Sequence, residues 1–359
     1  MANDHISLRQ LLTLTVAALL SPAIRVLPGR SAAIAGEGGW LSALVALPLL
    51  LGLCWVLFCL LRDRDTGLGQ AALAVLGPIP GRVVAGLYLA WGVFLLAVNA
   101  RQAALRFLTV SYRNAPLPLF LAALLALTLW LAVRPLPVLG RAGEVFCLAL
   151  TIVLALSLAM GAFQIRPGRL LPLWWQDLPQ IAASGLPVLG LLGYVVFAAV
   201  LGGAVERPAH GRRKAMGWAV GLCLALTVLQ GVCLGSFGPG LSVRMNIPFF
   251  MMVKGIGIEG TFQRVESVVM ALWVLSDLAL LALLACACLE LLRLLLPVRR
   301  RSRAAPPLVL LALAGALWLF PDAFFLGHTV EWVVLAGNLI AGFALPLLLL
   351  LVKKLRSSV

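Results

Sequence analysis

Residues 178–205, LPQIAASGLPVLGLLGYVVFAAVLGGAV, run uncharged from Asp177 to Glu206. A helix needs roughly 20 residues to cross a bilayer, so the stretch is long enough; a barrel strand would need only about half that number. Gly185, Pro187, Gly190 and Gly193 interrupt it just before Tyr194. An apolar span with breakers in its middle is the pattern of a discontinuous membrane helix, whose freed backbone groups serve a solute site at mid-depth. The alternative is that these residues only kink the helix, since glycine and proline are common in membrane helices.

The rest of the chain has the same character. Its 359 residues are 62% hydrophobic and 11% charged, with a mean hydropathy of +1.06. This composition predicts an all-α polytopic membrane protein with short loops and excludes a large extramembrane domain, including a nucleotide-binding one. The formal charge of +15 is carried between apolar stretches, so nucleic acid drops out as a partner.

Uncharged gaps at 38–61, 83–100, 114–133, 145–165, 178–205, 215–243, 304–321 and 332–352 predict spans, as does 267–289 with Asp277 inside it. All must be helical, because lipid offers no partner to an open backbone group. Residues 10–24 make a tenth span, short unless Arg25 snorkels or the helix breaks at Ser21-Pro22 and continues toward Pro28. No small-x-small cleavage site leads into a polar domain here, so the segment is read as a membrane helix rather than a signal peptide. Ten spans put both termini on one side. With the termini in the cytoplasm, 18 of the 28 Lys and Arg fall in cytoplasmic segments, mostly at 207–214, 299–303 and 353–356.

Breaks and buried charges are the functional pointers. Pro22 removes a backbone donor and frees the carbonyl of Ala18. With the spans divided five and five, both breaks fall in the first helix of a half, as in repeat-built transporters. Asp277 stands mid-span beside Ser276, one turn after Trp273. A lone carboxylate there is protonated, paired with a base, or part of a proton or solute path. Glu144 shares a turn with Arg141, and Arg101 either snorkels outward or meets Glu266 and Arg264; Arg101, Glu144, Arg264 and Glu266 read as structural fasteners or gates. Seven cysteines inside apolar stretches read as packing residues, and three scattered histidines make no metal pattern. No catalytic motif, cofactor or metal is expected.

Several segments together resemble a known family. Ile6-Ser7 with Gln10, then Ala35-Gly36 and Gly39-Trp40-Leu41, are similar to the opening of the spore germination permeases, the membrane subunit of endospore germinant receptors. Leu76-Gly77, Gly81-Arg82, Gly86-Leu87-Tyr88 and Arg101 follow in order, and Arg141-Ala142-Gly143-Glu144 resembles the family's entry to the fifth helix, with the glutamate one place early. The most specific stretch is Ile247-Pro248, Ile256, Ile258, Phe262-Gln263-Arg264-Val265-Glu266 and Trp273, with Gln263 where the family usually has glutamate.

The resemblance implies a ten-helix amino acid–polyamine–organocation architecture, the leucine-transporter-type 5+5 inverted repeat, as one domain over 1–359 with halves at about 6–163 and 178–352. It implies a site between helices 1, 3, 6 and 8. By topology a small solute, such as an amino acid, would meet Ser21, Pro22, Gly190, Gly193 and Tyr194, with Trp91 or Leu95 and Asp277 nearby. Its carboxylate would face a half-helix N-terminus and its ammonium group Asp277. Helix 1 has Ser-Pro where a glycine pair is usual, and nothing in the sequence supports sodium coupling. Two partner subunits, a larger membrane protein and a lipoprotein, and the spore inner membrane are implied as well.

Overall fold

The uncharged stretches fold into helices, seen in a computed structural model that describes residues 5–61, 66–110, 116–206, 208–255, 265–297 and 300–357. Helix α1 (Leu8–Ala35) begins at a capping box: the Ser7 hydroxyl accepts the Gln10 amide while the Gln10 side chain accepts the Ser7 amide. It ends at Gly36, whose φ of 53° a side chain would strain. A short 3-10 turn leads into α2 (Ser42–Leu60), then α3 (Leu68–Leu76), α4 (Pro78–Val110), α5 (Leu117–Ala132) and α6 (Leu136–Ala162).

The opening stretch of sequence becomes three short helices, α7 (Leu178–Ala183), α8 (Gly185–Leu192) and α9 (Val195–Val200). Helix α10 (Gly211–Phe237) is followed by α11 (Pro239–Arg244), α12 (Pro248–Gly255), α13 (Val265–Leu295) and α14 (Arg301–Trp318). The last span is segmented as well. Helices α15 (Ala323–His328), α16 (Leu335–Leu339) and α17 (Leu345–Ser357) are joined by wide π-type turns at Thr329–Val334 and Ile340–Ala344.

All ten uncharged stretches are largely helical. Among the described residues, seven helical segments have the length and hydropathy to cross a membrane, fewer than the ten spans expected. One reason is that Leu8–Leu60 runs as a single 53-residue stretch covering the first two; another is that Leu117–Val133 is shorter. The first stretch also extends well beyond its predicted end, since α1 stays helical through both Pro22 and Pro28.

Burial sorts the helices into inner and outer ones. From Ser276 to Leu289, α13 is buried on every face, and so is the chain from Val188 to Leu201. Helix α6 instead exposes Val145, Leu148 and Leu156, an apolar surface suited to lipid. A two-residue parallel bridge, Ile6 with Val205 and Ser7 with Glu206, ties the start of α1 to the chain just after α9. The two interrupted spans are thereby fastened to each other.

Candidate functional site

The inner face of α1 carries one hydroxyl at mid-helix, and three other side chains converge on it. Ser21 Oγ donates to Asp277 Oδ1 at 2.6 Å and accepts from Trp273 Nε1 at 2.8 Å and Arg106 Nη1 at 2.9 Å. Arg106 Nη2 also donates to Asp277 Oδ1 at 3.1 Å, and its guanidinium lies over the Trp273 ring, 4.5 Å from the centroid. Serine, aspartate, arginine and tryptophan are all buried, at 0, 6, 5 and 4% exposure. Asp277 is thus paired with a base, one of the three readings open for it. Removing two charges from water is costly, and the added hydrogen bonds from Ser21 and the ring face of Trp273 offset part of that cost.

Ser21 also marks the interruption of α1. Its amide donates to Ser276 Oγ at 2.7 Å, and that hydroxyl donates to the Ala17 carbonyl at 2.5 Å. Ser276 thus bridges the backbone of α1 just before Pro22, with helical conformation kept on both sides. In the sixth span the interruption is a tightened turn: the amides of Tyr194, Val196 and Phe197 each bond the carbonyl three residues earlier.

A second polar network joins α4, α8, α9 and α16. Trp91 Nε1 donates to Asn338 Oδ1 at 3.0 Å, and Asn338 Nδ2 donates to the Gly190 carbonyl at 2.8 Å. Asn99 Nδ2 donates both to the Tyr194 hydroxyl at 2.9 Å and to the Leu95 carbonyl at 2.8 Å. Gly193 is a close-approach glycine: a Cβ there would stand 2.5 Å from the Asn338 carbonyl oxygen. Gly190 is filled in the same way by Leu335, and Leu95 is wholly buried.

The residues expected at the site therefore form two networks instead of lining one open cavity. Ser21 and Asp277 touch directly, with Pro22 buried behind them. Trp91, Gly190 and Gly193 are packed against Asn338, while Tyr194 reaches back to Asn99. Two crevices are present. One borders Leu20, Ile24, Trp273 and Ser276, and one lies between α1, α2, α9 and α10 with an almost wholly apolar lining.

The predicted fasteners are differently placed. Arg101 does not snorkel; buried, it donates to the carbonyls of Ala316 and Phe320 at 3.2 and 3.1 Å, capping the C-terminal end of α14. Glu144 pairs with Arg9 at 3.5 Å instead of Arg141, and accepts from Gln10 at 3.5 Å. Arg264 and the Glu266 side chain lie outside the described residues. Arg30 of α1 pairs with Glu331 across to the last span.

Sequence reasoning missed Arg106 and Asn338, which hold the two networks together. Counting gaps between charges ends the third span at 100, but α4 runs on to Val110 and carries Arg106 into the core. The available signal was spacing: Trp91, Leu95, Asn99, Gln102 and Arg106 recur every three or four residues, a single helical face.

Comparison with known proteins fits this arrangement. Residues 5–321 match the family model described as spore germination protein, the spore permeases. The chain belongs to the spore germination permease family. No curated protein matches the permease. Among solved structures it is similar to MhsT in complex with L-phenylalanine, with 17% identity, a TM-score of 0.64, and 96% of this chain and 88% of that one covered. It is also similar to Mhp1, a nucleobase-cation-symport-1 family transporter, in a closed conformation with bromovinylhydantoin bound; identity is 12%, TM-score 0.66, and coverage 94% and 76%. The permease therefore has the leucine-transporter-type fold of the amino acid–polyamine–organocation transporters and is an integral membrane protein.

Proposed function

We propose that the permease is the solute-sensing membrane subunit of a germinant receptor. It binds an amino acid or a similar small solute between α1, α4, the α8–α9 segment and α13, and the bound state signals germination. The observation that carries this is the family match over residues 5–321, supported by a buried polar cluster at the interruption of α1. Ser21, Asp277, Tyr194 and the carbonyl of Gly190 are the contacts we assign to the solute, with Trp91, Leu95, Pro22 and Gly193 shaping the space. Arg101, Glu144, Arg264 and Glu266 are assigned to structure or gating. A ligand shifts a conformational equilibrium only through unequal affinity for the two states, so opening the packed glycine contacts must accompany binding or release.

In this reading residues 1–359 form one non-enzymatic domain of two inverted halves, about 6–163 and 178–352, with ten spans and both termini in the cytoplasm. It sits in the spore inner membrane beside a larger membrane subunit and a lipoprotein, which read its conformation. Deleting the gene should abolish germination to one nutrient class while leaving dodecylamine-triggered germination intact; unchanged responses to every nutrient would refute the assignment. The transporter fold favours one rival, a proton-coupled amino acid transporter without a signalling role. Solute uptake by proteoliposomes containing this chain alone would support the rival.

A further inference from the structure

We propose that the carboxamide of Asn338 holds the place of the solute: its donor and its acceptor sit on the two groups that a solute's own donor and acceptor take when the last span withdraws. The inference rests on the solute-binding reading above, and it names both the chemistry the site reads and the contact the solute displaces.

Asn338 is carried by α16, the short helix in the middle of the last span, and is buried. Its Nδ2 donates to the Gly190 carbonyl at 2.8 Å, and its Oδ1 accepts from Trp91 Nε1 at 3.0 Å. Gly190 lies in the last turn of α8, where the final carbonyls of a helix must find partners beyond it. Those of Leu189 and Leu191 accept the amides of Gly193 and Tyr194, while that of Gly190 accepts the side chain from α16. A carbonyl at the end of a half-helix is the group that a discontinuous span offers to a solute.

Two features suit this contact to exchange. Helix α16 is flanked by π-type turns at Thr329–Val334 and Ile340–Ala344, wide turns that recur at functional sites. Its neighbours also meet it through bare glycines. A Cβ at Gly337 would run into the Trp91 ring, and one at Gly342 would stand 2.5 Å from the Gly193 Cα. Smooth contacts of this kind can part without dragging large side chains past one another. A buried carbonyl and a buried indole N–H are costly to leave unpaired, so whatever replaces Asn338 must bring a donor for Gly190 and an acceptor for Trp91. An α-amino acid brings both, through its ammonium group and its carboxylate. An acid without the amino group leaves the carbonyl unpaired, and an amine without the carboxylate leaves the indole unpaired. The exchange trades like for like, so the fraction of permease open to solute depends on how firmly Asn338 holds the site.

The test is thermal stabilisation of the purified full-length permease across concentration series of each proteinogenic L-amino acid, glucose and inosine, in the wild type, Asn338→Ala and Asn338→Ser. Neither new side chain can span from Gly190 to Trp91. Both variants should lower the half-maximal concentration of the responding solute about ten-fold, the scale of one competing hydrogen bond removed. A residue that only contacts the solute predicts a rise, and one that only packs predicts no change. Unliganded melting temperatures should fall in both variants, which separates the lost bonds from the gained affinity. For the strongest amino acid, its des-amino acid and its decarboxylated amine should each stabilise the wild type far less, an arm that needs no variant to fold. Half-maximal concentrations unchanged or raised in the variants overturn the placeholder while leaving solute binding intact. Equal stabilisation by the acid, the amine and the amino acid overturns the paired donor and acceptor site. No response to any probe in any of the three proteins overturns both readings.

Discussion

Ser276 inserts its hydroxyl into the backbone of α1 at Ser21, accepting the Ser21 amide at 2.7 Å and donating to the Ala17 carbonyl at 2.5 Å. A residue of α13 thus bridges two backbone groups one turn apart in α1. Ser21 Oγ, on the same residue, meets Asp277, Arg106 and Trp273. The interruption of one helix and the charge balance of the next are a single structural unit.

Ser276→Ala should change the unfolding free energy by only about 1 kcal/mol, because the Ser21 amide and Ala17 carbonyl can close on each other once the hydroxyl is gone. Solute response should suffer more, since the bridge from α13 to α1 beside Ser21 is then lost. Denaturant unfolding of the purified permease, read beside germination, checks the difference. A stability loss of several kcal/mol would show that the amide and carbonyl remain apart.

Asp277→Asn breaks the buried ion pair with Arg106 and should destabilise the permease by about 3–5 kcal/mol. Replacing both members, as Arg106→Gln with Asp277→Asn, should recover most of that loss without recovering solute response. Melting temperatures of the two single variants and the double variant test this. A double variant as unstable as the singles would show that the pair is not the cause.

Gly193→Ala would place a Cβ 2.5 Å from the Asn338 carbonyl oxygen, and Gly342→Ala one 2.5 Å from the Gly193 Cα. Neither backbone can yield without parting the α8–α9 segment from the last span, so each substitution should cost about 1–3 kcal/mol. Gly52→Ala, with nothing within 4 Å of the added carbon, is the matched control and should be near neutral. Equal effects at all three positions would contradict the close-approach assignment.

Arg30 and Glu331 are each about a third exposed. Breaking the pair by Arg30→Gln should alter stability by less than about 1 kcal/mol. It should nevertheless admit water near the start of the last span. A cysteine placed at the buried Thr329 should react faster with a water-soluble maleimide in the Arg30→Gln background, and the paired exchange Arg30→Glu with Glu331→Arg should slow it again. An unchanged rate would remove any gating role from the pair.

Composition and the spacing of charges determined that this is an all-helical membrane chain, and they located each apolar stretch, because lipid forces every backbone group in a span into its own helix. Glycine and proline placement marked the sixth span as interrupted, and a lone aspartate marked Asp277. Which groups meet was decided only by tertiary packing. Arg106 comes to Asp277 from 171 residues away, and Ser276 to Ala17 from 259. Asn338 fills the space beside Gly190 and Gly193 that local sequence left looking open. The reason is physical. A helical segment's fate in lipid depends on its own hydropathy, whereas a buried charge or a bare glycine is defined by a partner on another helix. That partner is chosen by how the helices pack.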